Sequence, residues 1–162
     1  MKKLLVVFAM GMLLITGCTS TGKETVYECK GADMLGLPAK VTQTITTNGD
    51  KVKTQKIETV LDIKALSEVA GLPVEDTSAL MLEQVKTVHK ELEKIEGLEV
   101  SVDVKDAALT EINIIDYSKA DLKKLQELQL VEGQKDKEAK FVSWEATQKV
   151  LTSNGFTCSE SK

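Results

Sequence analysis

Residues 41–62, VTQTITTNGDKVKTQKIETVLD, decide the fold of this chain. β-Branched residues dominate the first part of the stretch, and Asn48-Gly49 is the strongest short-range signal for a tight hairpin turn. On the return strand, simple alternation would put Val52 and Ile57 on opposite faces. A β-bulge between Lys53 and Lys56 would reconcile them, so we predict an antiparallel hairpin with a bulge in its second strand.

A second hairpin is predicted at residues 98–116. Val100 and Val102 alternate with polar residues in its first strand, and Ile112 and Ile114 do so in its second. We expect these four side chains on one face of the sheet, which the longest helix would cover.

Helical periodicity separates the two hairpins. Residues 62–71 predict a short helix with Leu66 and Val69 inward, ended by Gly71. A longer helix is predicted from Asp76 or Thr77 to Gly97. Its apolar stripe recurs at intervals of four and three residues: Met81, Val85, Val88, Leu92 and Ile95.

Two further helices are predicted in the last third of the chain. Ser118 resembles the first residue of a capping box, and Ser143 is expected to cap a helix that ends at Asn154-Gly155. Short strands at residues 25–29 and 156–158 complete the pattern. We therefore predict one α+β domain at 25–162, an antiparallel sheet built from two hairpins plus terminal strands, with helices packed on one face.

The chain begins with two lysines and an apolar run at residues 4–15. The run is shorter than the roughly 20 residues of a membrane-spanning helix and has the size of a signal-peptide core. Thr16-Gly17-Cys18 resembles the lipobox of bacterial lipoproteins, in which the cysteine receives a diacylglyceryl group and becomes the first mature residue. We predict a lipoprotein signal peptide at 1–17 and a lipidated tether at 18–24; an ordinary signal peptide with an incidental Cys18 is the alternative.

This reading predicts the location of the protein. The lipid on Cys18 would hold the domain on the extracytoplasmic face of the cell membrane, or on the outer membrane if the cell has two membranes. The membrane is then one partner of the protein.

Cys29 and Cys158 remain as an even pair at the two ends of the domain. Thiols outside the membrane can be oxidised, so we predict a disulfide that joins the first and last strands; two independent buried thiols are the alternative. The cysteine spacing fits no zinc motif and the chain has one histidine, so we predict no metal site and no cofactor.

The charge pattern argues against nucleic-acid binding. The leader carries two of the 21 basic residues and no acid, so the mature chain has 19 lysines against 25 acidic residues, a net charge of −6. Every basic residue is lysine, whereas bidentate phosphate recognition relies on arginine.

No catalytic motif stands out. The chain contains no GxSxG, GxxxxGK[ST] or GxGxxG string. We interpret His89 as a surface residue at the boundary of the long helix, and the acidic residues near the second hairpin as solvated. Trp144 is a weak candidate for lining a ligand groove, although such a residue more often anchors a core. We predict that the protein is not an enzyme.

Several local strings resemble the YehR-like lipoprotein family, an uncharacterised domain family, over nearly all of residues 25–158. They are NGDKV at 48–52, IEGLE at 95–99, IDYSKAD at 115–121 and Gly155-Phe156. The resemblance implies a small α+β fold, a lipid anchor and no established enzymatic activity, and it supplies no active-site motif.

We therefore expect a non-catalytic, membrane-anchored module that binds a membrane-proximal protein or a small apolar ligand at the envelope surface. A structural, envelope-integrity or host-interaction role is the alternative, and a hydrolase comes third. A continuous apolar cavity would favour the small ligand, whereas a filled core with an exposed apolar patch would favour a protein partner.

Overall fold

The computed structural model describes residues 14–15, 22–32, 38–128, 130–131 and 140–161. Most of the predicted leader, including Cys18, lies outside the described residues.

The described chain forms eight strands and four helices. The strands are β1 (Leu14–Ile15), β2 (Glu24–Ala32), β3 (Ala39–Asn48), β4 (Lys51–Asp62), β5 (Leu98–Lys105), β6 (Ala108–Asp116), β7 (Phe141–Val142) and β8 (Thr157–Glu160). The helices are α1 (Ile63–Ala70), α2 (Val74–Leu92), α3 (Leu122–Glu127) and α4 (Trp144–Ser153). Six strands make one antiparallel sheet in the order β5-β6-β4-β3-β2-β8, and β1 pairs with β7. The predicted α+β class is confirmed.

The β3–β4 hairpin forms the centre of this sheet. Gly49 takes a φ of 60°, the left-handed conformation that the tight turn requires. Thr46 pairs with Thr54 but Thr47 pairs with Val52, so Lys53 is the extra residue of a bulge. The predicted bulge is confirmed, and it keeps Val52 in the core on the same face as Ile57.

The β5–β6 hairpin forms as predicted, but its second strand faces the other way. Val100 lies opposite Asn113 and Val102 opposite Glu111, so these polar residues share the face that α2 covers. Ile112 and Ile114 therefore lie on the open face of the sheet, and the prediction that they face the long helix is wrong.

Helix α2 packs on the β5 side of this face as predicted. Its C-terminal residues Val88 and Leu92 cluster with Val100, and its N-terminal residues Met81 and Val85 cluster with other β5 side chains, Val102 and Val104. The helix begins at Val74 and ends at Leu92, so the last member of the predicted stripe, Ile95, is buried from the following turn.

Two details of the shorter helices differ from expectation. Val69 is 86% exposed, because α1 is only eight residues long and its last turn projects beyond the core. Helix α3 is capped by Asp121, whose carboxylate accepts from two backbone N–H groups of its first turn. Ser118 does not cap this helix, since it donates to Asp116 instead.

The cysteine pairing is confirmed. Cys29 and Cys158 lie opposite each other on the neighbouring strands β2 and β8, with their Cα atoms 4.0 Å apart, and they form a disulfide. Because β8 is a four-residue edge strand, this bond ties the end of the chain to its first long strand.

Loss of the disulfide should destabilise the domain without changing its fold. The bond closes a separation of 129 residues, so we expect the paired change Cys29→Ala with Cys158→Ala to lower the free energy of unfolding by about 2–5 kcal/mol in urea titrations. Alkylation of the unreduced protein provides the independent check. Labelling of both Cys29 and Cys158 without reductant would contradict the pairing.

Candidate functional site

The domain has two poles, defined by the ends of β4. At the first, the chain leading from the predicted tether meets the β3–β4 turn: Gly22 N–H donates to Asn48 Oδ1 at 3.0 Å, and Gly49 N–H donates to the Lys23 carbonyl at 3.4 Å. A Cβ atom on Gly22 would lie 2.5 Å from Gly49 Cα, so the approach requires glycine. We call this end the tether pole.

The distal pole lies at the other end of β4. Its twelve residues span about 40 Å at the usual strand rise. There the chain enters α1, and Ile63 N–H donates to the Ala107 carbonyl in the β5–β6 turn at 2.9 Å.

The final helix is fixed at the tether pole by a carboxylate from the hairpin turn. Asp50 accepts from Ser143 Oγ at 2.8 Å and from the backbone N–H of Glu145 at 2.7 Å. Ser143 also caps α4 through Ala146 N–H, as its sequence context predicts. The sequence signal at Asn48-Gly49 did not reveal the role of Asp50, because its partners lie more than 90 residues away.

Trp144 takes a packing role in this arrangement. Its side chain is buried and stacks on Tyr27 of β2, with ring centroids 4.2 Å apart. The ring thus joins α4 to the sheet beside the disulfide, which is the core-anchor reading of this residue.

His89 is buried, so its interpretation as a surface residue is wrong. Only 5% of the residue is exposed, and Nε2 lies 2.9 Å from Oε1 of Glu111, itself 6% exposed. When Glu111 is ionised, the Nε2–H group donates to it. Asn113 Nδ2 donates to the same carboxylate oxygen at 3.2 Å.

A second buried polar group lies further along the same face of the sheet. Gln55 Nε2 donates to Gln43 Oε1 at 2.8 Å, and the Tyr117 hydroxyl donates to Gln55 Oε1 at 2.7 Å. Burial raises the pKa of the Tyr117 phenol, so the hydroxyl stays protonated as the donor that this bond needs. Together with the His89 group, these residues form what we call the polar belt.

The polar belt has the residue types of an acid–base site but not the access. A general base must reach a substrate proton, whereas His89 of α2 and Glu111 of β6 are buried, and His89 Nε2 is engaged by Glu111 Oε1. The described ranges contain no group of three His, Cys, Asp or Glu side chains placed to hold a metal ion.

The acidic residues around the second hairpin do not form a site. Glu111 is committed to His89, and Asp106 lies in the turn at the distal pole. Asp116, at the opposite end of β6, accepts from Ser118 and pairs with Lys119, and these interactions hold the pKa of its carboxyl below the ordinary value.

A cleft of about 580 Å³ opens at the distal pole. Small apolar residues contribute to its floor, and four charged residues line its rim: Lys40, Asp62, Lys64 and Asp106. Asp62 already caps α1 by accepting from Ala65 N–H at 2.9 Å. A charged rim of this kind is poorly suited to a small apolar ligand.

Large exposed apolar side chains occur mainly where α1 meets α2. Val69, Leu72 and Leu80 are 86%, 44% and 49% exposed, and Leu128 of the α3 end is 43% exposed. No helix in the described part of the chain is long and apolar enough to cross a bilayer.

Residues 35–157 match the family described as protein of unknown function (DUF1307). The fold is similar to that of the E. coli YehR protein solved by NMR, with a TM-score of 0.63, 22% identity, and coverage of 86% of this chain and 93% of that one. It is also similar to an NMR structure of a protein from Streptococcus pneumoniae TIGR4, with a TM-score of 0.52, 19% identity, and coverage of 91% and 92%. No curated protein sequence matches the chain.

The effects of His89 and Glu111 on the free energy of unfolding should be coupled. We expect His89→Leu alone to lower the free energy of unfolding by about 3–5 kcal/mol, because it leaves a buried carboxylate without its partner. The double change His89→Leu with Glu111→Leu removes both polar groups, so its loss should be smaller than the sum of the two single losses. Urea unfolding of the four proteins measures this coupling.

Lys90→Ala is the matched control, since Lys90 is the exposed neighbour of His89 on the same helix. Its effect should stay within about 0.5 kcal/mol. Additive losses for the two leucine changes would show that the pair is not coupled.

Proposed function

This chain belongs to the DUF1307 family of proteins of unknown function, and we propose that it is a lipid-anchored extracytoplasmic lipoprotein whose domain binds a protein partner without catalysing a reaction. The proposal that the domain binds a partner rests on the exposed apolar side chains at the α1–α2 junction, which lie outside the two packed core clusters.

The proposal that the protein is lipid-anchored rests on the signal-peptide sequence and on the position at which the domain begins. Four peptide bonds separate Cys18 from Gly22, so a lipid on Cys18 would lie within about 14 Å of the point where the chain docks on the β3–β4 turn. Cleavage before Cys18 would remove β1 but none of the strands of the six-stranded sheet. The mature domain would therefore keep its sheet while the tether pole faces the membrane.

The non-catalytic half is supported by the polar belt. His89 and Glu111 are buried and bonded to each other, and the Tyr117 hydroxyl donates to Gln55. A hydrolase would need such a pair at the surface or in an open cleft.

A protein partner is favoured over a small apolar ligand for two reasons. The buried apolar side chains of the described residues pack against one another in two clusters. The open cleft at the distal pole is rimmed by charges, whereas apolar side chains are exposed on the neighbouring helical corner. An exposed apolar patch rimmed by polar residues is one mark of a protein interaction site.

Removal of the lipidated residue tests the anchor. We expect Cys18→Ala to leave an unprocessed precursor or to release the protein from membranes, because stable anchoring requires the acyl chains that this cysteine would carry. The measurement is fractionation of cells followed by mass analysis of the N-terminus.

Cys158→Ser is the matched control, since it also removes a cysteine but leaves the predicted lipidation site intact. This variant should fractionate with membranes as the wild type does. Unchanged processing and membrane association in Cys18→Ala would overturn the lipoprotein assignment.

A further inference from the structure

The corner between α1 and α2 combines exposed apolar side chains with an acidic surround. Val69 lies in the last turn of α1, Leu72 lies in the turn that follows, and Leu80 lies in the first half of α2; all three are exposed. The exposed acids in the same stretch are Glu68, Glu75, Asp76 and Glu83. Lys64 and Lys86 bound this stretch, and the residues between them include the four acids and no basic residue. We call this surface the acidic corner.

The corner is held in a fixed shape. Gly71 ends α1 in the left-handed conformation, and the Leu72 N–H donates back to the Ser67 carbonyl at 3.2 Å. Pro73 then precedes α2 as its N-cap residue. The apolar side chains are therefore presented by two packed helices and a hydrogen-bonded turn, which lowers the ordering cost of binding.

We propose that the acidic corner docks a basic, apolar-faced segment of a partner protein. This inference rests on the proposed function and names the surface and the partner chemistry. The apolar side chains would pack against the apolar face of the segment, and its lysines or arginines would meet the surrounding carboxylates. An apolar centre with a charged rim is the usual anatomy of a protein interface, and complementary charge selects the partner.

Two other occupants fit the surface less well. A second copy would bring the same acids face to face, and like charges across an interface are repulsive. A bilayer with anionic headgroups would be repelled by the same rim. The tether pole, at the opposite end of β4, is in addition the end that the proposed lipid holds at the membrane.

The test uses the processed, lipidated protein in phosphatidylcholine vesicles and a fluorescent synthetic helix with leucine on one face and lysine on the other. We expect the peptide to bind protein-bearing vesicles more tightly than empty ones, and the binding to weaken as salt is raised. Glu68→Lys with Glu83→Lys should weaken it about tenfold or more. Leu72→Ser should also weaken it. These positions are exposed and lie outside the first turn of α2, so the melting temperature should stay unchanged.

Glu93→Lys with Glu96→Lys is the matched control, because it makes the same change of charge near the C-terminal end of α2, beyond the corner. This variant should bind the peptide as the wild type does. An analogue peptide with glutamate in place of lysine should not bind.

Equal affinity of the wild type and the Glu68/Glu83 variant, or of the wild type and Leu72→Ser, would overturn the proposal. So would equal loss of affinity in the Glu93/Glu96 control. Because every protein in the series keeps Cys18, such a result would leave the anchor untouched, whereas failure of the anchor would appear only in the fractionation of Cys18→Ala.

Discussion

The carboxylate of Glu111 lies on the covered face of the sheet, where water cannot solvate it, and its need for a partner constrains how the helices dock. His89 supplies that partner from α2, and Asn113, which lies on β6 with Glu111, donates a second hydrogen bond to the carboxylate. The pair fixes both the rotation of α2 about its axis and the face that β6 turns to the helix. The pair also lies where the apolar packing changes cluster, since Val85 before His89 belongs to one core cluster and Leu92 after it belongs to the other. Removal of one partner alone would leave a buried polar group without compensation, so the two residues are coupled in their effect on stability.

The central β3–β4 hairpin contacts different parts of the chain at its two ends. At its turn, Asn48 accepts a hydrogen bond from Gly22 at the start of the domain, and Asp50 accepts one from Ser143 at the start of α4. Its far end leads directly into α1 and meets the β5–β6 turn. The length of β4 thereby separates the tether pole from the distal pole. The two ends also differ in their interactions. The tether pole is joined by several hydrogen bonds, whereas apolar side chains are exposed near the distal pole.

Local sequence patterns predicted most of the helices and strands. They could not predict which side chains of different elements contact each other. Asn48-Gly49 located the hairpin, the parity conflict between Val52 and Ile57 located the bulge, and the cysteine count located the disulfide. The same alternation misplaced Ile112 and Ile114, because it cannot distinguish an apolar residue on an open face from one on a covered face. His89 was misread for a related reason. Its partner lies 22 residues away on another element, and no periodicity records that contact.

The pairing of β2 with β8 has a consequence for how the chain is made. β2 begins at residue 24 and its outer neighbour, β8, ends at residue 160. During synthesis β2 is therefore made long before the strand that covers its outer edge. Until then β2 presents an open edge with an unpaired thiol at Cys29, the kind of edge that invites pairing with other chains. Vectorial synthesis thus leaves this edge of the sheet open until β8 has been made, and removal of β8 would expose the edge permanently.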